Sequence, residues 1–337
     1  MIKIGVIGCG HWGPNHIRIF SQLPDSEVLM CADLDLARLE NIKRLFPHVS
    51  TTPHYKDLLA NKEIDAVCIT TPTNTHYSLT KEALEAGKNV LCEKPLALTV
   101  KECEELRDLA HAKKKMLMVG HVFVFNPGIL MLKKILQSAD IGRIFYAYST
   151  RTNLGPFRYD VNALWDLAPH DISIFNYLFE GSALNVSARG QKSLGTSLED
   201  LAFATLEYPN NIVVNLHVSW LDPKKVRQIT IVGEKKMITW DDLDNLGPVK
   251  IYDKHVEKTS KFYETYGEFQ LLSREGTITI PNVEFQEPLK AQGKYFLDCV
   301  KNNRTPDLAD AKRGLEVVRT LCAIQRSMDK EGSCEKV

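Results

Sequence analysis

Two stretches of the sequence set a carboxylate beside a group that can hold or move a proton. One is Glu93-Lys94-Pro95, directly after the apolar run Asn89–Cys92. The other is Trp165-Asp166-Leu167-Ala168-Pro169-His170-Asp171. Asp166 and His170 stand at spacing four, so on a helix they share one face. A carboxylate so placed orients the imidazole and raises its basicity, and histidine titrates near neutrality, which suits proton removal from an alcohol. Pro169 fits a helix only in its first turn, which would put both side chains at a helix start facing a cleft. Beside a dinucleotide site, the Lys94 amine can hydrogen-bond a reacting hydroxyl and stabilise negative charge growing on its oxygen. Taken alone, each has a plainer reading: a surface ion pair for Lys94, a structural imidazole for His170.

The dinucleotide site is written in Gly8-Cys9-Gly10-His11-Trp12-Gly13. This pattern needs a strand before it and a helix after it, and the flanking residues supply both. Gly8 permits the tight turn, Gly10 lets the backbone approach a pyrophosphate, and Gly13 allows helix to pack on strand. Pro14 suits the first helical turn, whose free N–H groups and dipole attract phosphate. With His11 and Trp12 these residues are assigned to the cofactor. Asp33 ends the next apolar run, where a carboxylate accepts from the ribose hydroxyls of NAD and repels a 2′-phosphate. Leu34 follows, so no arginine immediately welcomes NADP; Arg38 is the distant alternative. NAD is therefore expected over NADP. Two later strand ends complete the crevice, because ligands of such sheets bind beyond the carboxyl ends of the strands. They are Thr70–His76, with Thr71, Pro72, Asn74 and His76, and the Glu93-Lys94 step.

These groups need a scaffold, and the hydrophobic pattern describes one. Through residue 120, short β-rich runs (Ile2–Ile7, Val28–Ala32, Ala66–Thr70, Asn89–Cys92, Met116–Val119) alternate with helical stretches (Ala37–Phe46, Leu79–Ala86, Val100–Ala112). Near-continuous apolar strands alternating with helices imply right-handed βαβ units and a doubly wound parallel sheet, a Rossmann architecture. After Gly120 the rhythm changes. Helices are expected near Pro127–Leu136 and Pro169–Leu178. Strands are expected at Arg143–Thr150, Leu184–Arg189, Leu201–Glu207, Ile212–Val218, Val226–Val232 and Met237–Trp240. Pro209-Asn210-Asn211 reads as a tight hairpin, and helices near Pro288–Lys301 and Asp307–Met328 close the chain. Strands following strands make a mostly antiparallel, open sheet in an α+β domain. The expectation is an NAD-binding domain over 1–120 and a substrate-binding and oligomerisation domain over 121–337. The open sheet face is a natural surface for a homodimer or homotetramer.

Composition narrows the function classes. The 337 residues carry 42 Lys plus Arg and 42 Asp plus Glu, so there is no basic excess for nucleic acid. No apolar stretch approaches the roughly 20 residues that span a bilayer. The eight cysteines form no Cys-x-x-Cys pair and no zinc spacing, so no metal is expected, and this usage fits a reducing cytoplasm. The N-terminus begins with strand residues rather than a signal peptide.

Taken together, the Gly8–Gly13 loop, Thr71-Pro72 with His76, Glu93-Lys94-Pro95, Gly120-His121 and Asp166…His170 resemble the Gfo/Idh/MocA oxidoreductase family over essentially the whole chain. That resemblance implies proton transfer by Lys94, Asp166 and His170 beside the nicotinamide. It also implies nicotinamide and ribose contacts from Thr71–His76 and Glu93. The stretch Arg151–Phe157 and Asp160–Asp166 is similar to a subgroup acting on nucleotide-linked amino sugars, oxidising the 3-hydroxyl of UDP-N-acetylglucosamine or its like. In that stretch Arg151, Asn153 and Asn162, with His170, are the expected sugar or diphosphate contacts, Arg for its fork. The alternatives are an inositol, polyol or free-hexose dehydrogenase, and a non-catalytic NAD-binding regulator. The regulator would dispense with Lys94, Asp166 and His170, all of which are present.

Overall fold

The computed structural model describes residues 1–138, 140–256 and 273–337. They fall into two compact units: Met1–Phe125 with Gln286–Arg319, and Asn126–Phe285 with Thr320–Val337.

In the first unit, β1 (Ile2–Ile7), β2 (Ser26–Ala32), β3 (Ser50–Thr52), β4 (Ala66–Ile69), β5 (Asn89–Cys92) and β6 (Leu117–Val119) form one parallel sheet. Its order is β3-β2-β1-β4-β5-β6. The order reverses between β1 and β4, the switch point at which such sheets bind dinucleotides. Every residue of β4 and β6 is buried, as a parallel sheet covered on both faces requires. Five helices alternate with the strands: α1 (Gly13–Gln22), α2 (Leu36–Leu45), α3 (Tyr55–Ala60), α4 (His76–Glu85) and α5 (Val100–Lys113). Their ends follow local chemistry. Asp35 caps α2, and Thr99 with Glu102 forms a reciprocal capping box on α5. The pattern reading did not include β3 or α3. Ser50-Thr51-Thr52 is too short and polar to show an apolar run.

The second unit is built on a nine-stranded sheet. Its members are β7 (Ile144–Leu154), β8 (Asn185–Gln191), β9 (Leu201–Tyr208), β10 (Ile212–Ser219), β11 (Leu221–Gly233), β12 (Met237–Asp241), β13 (Val249–Val256), β14 (Ser273–Thr279) and β15 (Glu335–Lys336). The order is β14-β13-β12-β11-β7-β10-β9-β8-β15, antiparallel apart from the β7/β10 pair. The hairpin after β9 turns through Asn210 and Asn211 at φ 63° and 58°, left-handed values that asparagine tolerates. The helices α6 (Pro127–Gln137) and α7 (Ala163–Phe179) pack on this sheet, α7 against β7, β9 and β10. Along β9 the burial alternates, with Ala202, Ala204, Leu206 and Tyr208 buried. The strands β13, β14 and β15 lie beyond those read from the sequence.

The structure departs from the sequence expectation in two places. The helix carrying Asp166 and His170 starts at Ala163, capped by Asn162, so Pro169 is inside it and not in its first turn. Asp166 remains in the first turn, while His170 lies a turn further in. A proline there leaves the Trp165 carbonyl without its helical donor. The C-terminal part of the chain also returns to the first unit. The helix α8 (Pro288–Lys301) packs on α1, with Phe296 against Phe20 at 6.1 Å and Gly293 approaching Ile19 closely. It is followed by α9 (Ala311–Asp329). Among the described residues, no helix is long and apolar enough to cross a membrane.

Candidate active site

The glycine turn joins β1 to α1. Gly8 has φ +98°, and a Cβ there would lie 2.9 Å from the Thr70 carbonyl. A Cβ on Gly13 would lie 2.1 Å from the Gly8 oxygen, so the helix start and the turn can meet only at a glycine. Gly10 is different. Its Cβ would meet only the tip of Arg38, at 3.5 Å, so nothing in the fold demands a glycine there. Open backbone at a helix start is what a pyrophosphate requires, and these residues fit a dinucleotide. His11 is exposed and Trp12 half-buried beside them, their rings edge to face. Asp33 shapes the same turn: one carboxylate oxygen accepts from the Cys9 N–H at 2.6 Å, the other from Asp35 N–H at 2.8 Å. Arg38 reaches within 3.5 Å of that carboxylate.

At the end of β4, the Thr70 hydroxyl donates to the Gly8 carbonyl at 2.6 Å and fastens the two strand ends together. Thr71, Pro72 and Asn74 remain accessible. His76 does not. It is 1% exposed, with Nδ1 2.7 Å from the Pro95 carbonyl and Nε2 2.9 Å from the Thr71 carbonyl. Both nitrogens are spent on the backbone, so the cofactor contact expected of His76 gives way to a strut between two loops. A neutral imidazole can donate to only one of these acceptors. Burial disfavours the charge, but the nearby Cys92 sulfur and the two carbonyls outweigh it and raise the pKa to about 9.

At the end of β5, Glu93 and Lys94 are both 8% exposed. The Glu93 carboxylate accepts from His16 on α1 at 2.8 Å and lies against Gly120, where a Cβ would come within 3.0 Å of it. Burial alone would raise the Glu93 pKa; the His16 bond and the charges of His16 and Lys94 overturn that and lower it. Thus Glu93 is an ionised counter-charge beside Lys94, tied back into the fold, rather than a group turned toward solvent. His121 stands close to both charges. It is 2% exposed, neither ring nitrogen has a hydrogen-bond partner among the described residues, and burial lowers its pKa to about 4, so it is neutral. Sequence reasoning gave no role to His16 or His121. The His16–Glu93 bond spans 77 residues, and no local pattern announces it.

In the second unit, Asp166 is gripped at both oxygens. Arg158 donates to one at 3.1 Å and the Trp220 indole to the other at 3.2 Å. His170 is half-buried on the same helix, and its carbonyl accepts from the Ser173 hydroxyl. The expected sugar contacts fare less well. Arg151 is 3% exposed and forks onto Asp171 at 2.8 and 3.0 Å, a buried ion pair joining β7 to α7. Asn162 spends its oxygen on the Trp165 N–H and its NH2 on Glu199 and Gln325. In this structure both side chains are held by partners of the fold. Asn153 donates to the Gly155 carbonyl at 2.6 Å. Among the described residues, no group of three His, Cys, Asp or Glu is placed to hold a metal.

Comparison with known proteins decides the lineage. Residues 2–121 match the family described as oxidoreductase, NAD-binding Rossmann fold, and residues 129–239 match the Gfo/Idh/MocA C-terminal domain. The chain belongs to the Gfo/Idh/MocA oxidoreductase family. Its relatives include the UDP-N-acetylglucosamine 3-dehydrogenase of Acidithiobacillus ferrooxidans, 27% identical over 90% of this chain and 93% of that one. The inositol 2-dehydrogenase of Salmonella typhimurium is also 27% identical, over 65% of this chain and 68% of its own. A solved structure of the Acidithiobacillus enzyme is 24% identical with a TM-score of 0.82, covering 98% of each chain, and shows the same fold. As a Gfo/Idh/MocA protein this chain is an oxidoreductase with an NAD-binding Rossmann domain.

Proposed function

We propose that this protein is an NAD-dependent dehydrogenase that oxidises a secondary hydroxyl of a sugar, the 3-hydroxyl of a nucleotide-linked amino sugar of the UDP-N-acetylglucosamine type. The observation that carries the dehydrogenase reading is the buried Lys94 amine at the end of β5, on the sheet whose switch point carries the glycine turn. A cation held there beside an ionised Glu93 suits an oxygen that gains negative charge. The substrate class is drawn from the Acidithiobacillus relative, since Arg151 and Asn162 are committed elsewhere.

When bound, the nicotinamide would supply the hydride acceptor; the chain supplies orientation and charge. The α1 N-terminus and the Gly8–Gly13 backbone would hold the pyrophosphate, and Asp33 would accept from the ribose hydroxyls. Lys94 polarises the reacting hydroxyl. His170 removes its proton, supported by Asp166 one turn earlier. Asp33 favours NAD, while Arg38 beside it favours a second reading in which NADP is also accepted. The inositol dehydrogenase relative keeps a polyol as the alternative substrate. A homodimer or homotetramer formed through the open sheet face of the second unit completes the reading.

The test is a cofactor-reduction screen of NAD and NADP across UDP-linked sugars, free hexoses and inositol, with 2-oxoglutarate present in case tightly held reduced cofactor must be reoxidised. The expected result is turnover with a UDP-amino sugar and NAD. Lys94→Ala and His170→Ala should each lower kcat by about a hundredfold or more with cofactor affinity retained. Near-normal turnover in either variant would remove that residue from the chemistry.

A further inference from the structure

Arg158 lies in the segment that joins β7 to α7, where no motif drew attention to it. Its Nε and Nη2 take the two oxygens of Asp160 at 2.9 and 2.5 Å. That fork leaves Nη1 pointing onward, and it donates to Asp166 at 3.1 Å. The opposite oxygen of Asp166 accepts from Trp220 at 3.2 Å. Trp220 is itself 4% exposed and lies edge-on to Phe157 at 6.2 Å. Asp166 is thus approached by an N–H donor at each oxygen, one on a cation and one on a fixed ring. A protonated carboxyl would have to turn its own O–H toward one of these donors, so the arrangement suits only the carboxylate. Rotation of the side chain would break both bonds at once.

We propose that Arg158 is a positioning residue for proton transfer: with Trp220 it keeps Asp166 ionised and in one orientation, one helical turn before His170. The proposal rests on the reading of His170 as the base. Among the described residues, the charged and titratable groups near Asp166 include Arg158 and Asp160 from the joining segment and His170 from α7 itself, with the neutral Trp220 following β10. Burial works against the Arg158 charge, but Asp160 and Asp166 outweigh it and hold the guanidinium above its usual pKa. A fixed anion at position 166 raises the proton affinity of His170 and narrows its orientations. Arginine is required because one group must grip Asp160 through a fork and still present a third N–H, which a lysine ammonium on a flexible stem does not reproduce.

Kinetics and a spectroscopic readout test this together. In Arg158→Ala, kcat should fall about tenfold or more while substrate KM stays near wild type, the pattern of a group acting on the chemical step. The acid limb of the kcat profile should move to higher pH, as Asp166 becomes easier to protonate. Guanidinium at sub-denaturing concentration should restore part of the activity to Arg158→Ala and none to Asp166→Asn. Arg158→Lys should recover less than guanidinium does. Independently of turnover, the Trp220 indole 1H–15N resonance, assigned with Trp220→Phe, reports the ionisation of Asp166. It should hold steady into mildly acidic pH in the wild type and titrate at higher pH in Arg158→Ala. If that variant fails to fold, Arg158→Lys is read by the same titration. Unchanged kcat and pH profile would overturn the proposal, as would lost activity with neither guanidinium rescue nor an indole shift. Should the wild type reduce no cofactor with any sugar, the dehydrogenase reading fails instead, and the indole titration still decides the clamp.

Discussion

His76 has two ring nitrogens and faces two carbonyl oxygens, so its protonation state is a structural quantity. Its pKa near 9 in the fold lies above the histidine value of about 6.5 expected in an unfolded chain. A pKa raised on folding stabilises the fold fully below the unfolded value, and the contribution disappears as pH climbs through the folded one. The window therefore runs from about pH 6.5 to pH 9, with a loss on the order of 3 kcal/mol across it. Chemical denaturation of the wild type should show that decline, and His76→Gln should start lower and stay flat over the same range. Parallel curves would mean that the imidazole is neutral and one carbonyl unsatisfied. The residue also marks where sequence reading stops. Its position after Thr71-Pro72 was legible; that both nitrogens turn inward was not, because the Pro95 acceptor arrives from a different strand end. The same holds for Arg151, read as a diphosphate fork and found on Asp171, twenty positions along the chain. Residue type told what each group can bind, and the fold chose which partner it met.

The glycine turn separates two requirements that a motif merges. Gly13 is needed by the fold, since its Cβ would overlap the Gly8 oxygen, whereas Gly10 has open space around it. Gly13→Ala should therefore lower stability by at least about 2 kcal/mol, the cost of forcing backbone apart in a packed site. Gly10→Ala should keep the wild-type unfolding midpoint but bind NAD more weakly by at least about tenfold, as its methyl occupies the approach of the pyrophosphate. Calorimetry and cofactor titration of the two variants give opposite patterns if this holds, and matching losses would refute it. The βαβ rhythm of the first unit was readable because buried parallel strands are uniformly apolar. Very short elements such as β3 carry too few residues to show a rhythm. The start of α7 was misread for a different reason. Pro169 looks like a boundary, but the Asn162 cap, placed by its Trp165 N–H bond, starts the helix earlier, and the helix runs on through Pro169 while packed against β10 and β9.

At the scale of the molecule, the nine-stranded sheet has one face occupied by α6 and α7 and another that still shows aromatic side chains. Tyr146, Tyr148, Phe203 and Val213 are each between 42% and 49% exposed. They form two groups on that face: Val213 pairs with Tyr146 across β10 and β7, and Phe203 pairs with His217 across β9 and β10, with Asn215 and Thr205 between them. Tyr146 and Tyr148 stack at 6.4 Å, and Phe203 and His217 at 4.4 Å. Exposed aromatic side chains gathered on one sheet face suit a protein contact, in which tyrosine is enriched. A broad sheet face can pair with a copy of itself about a two-fold axis, each patch meeting its equivalent. This follows from the strand-after-strand pattern already visible after Gly120, although the sequence could not say which parity of β7 would face outward. Tyr148→Asp combined with Phe203→Asp should place charges at the centre of that contact without touching the buried parity of either strand. Sedimentation should find the wild type as a dimer or tetramer and the double variant as a monomer, with circular dichroism unchanged. A double variant that keeps the wild-type mass would show that the assembly, if one forms, uses another surface. A monomeric wild type would leave these aromatic rings without the partner argued for here.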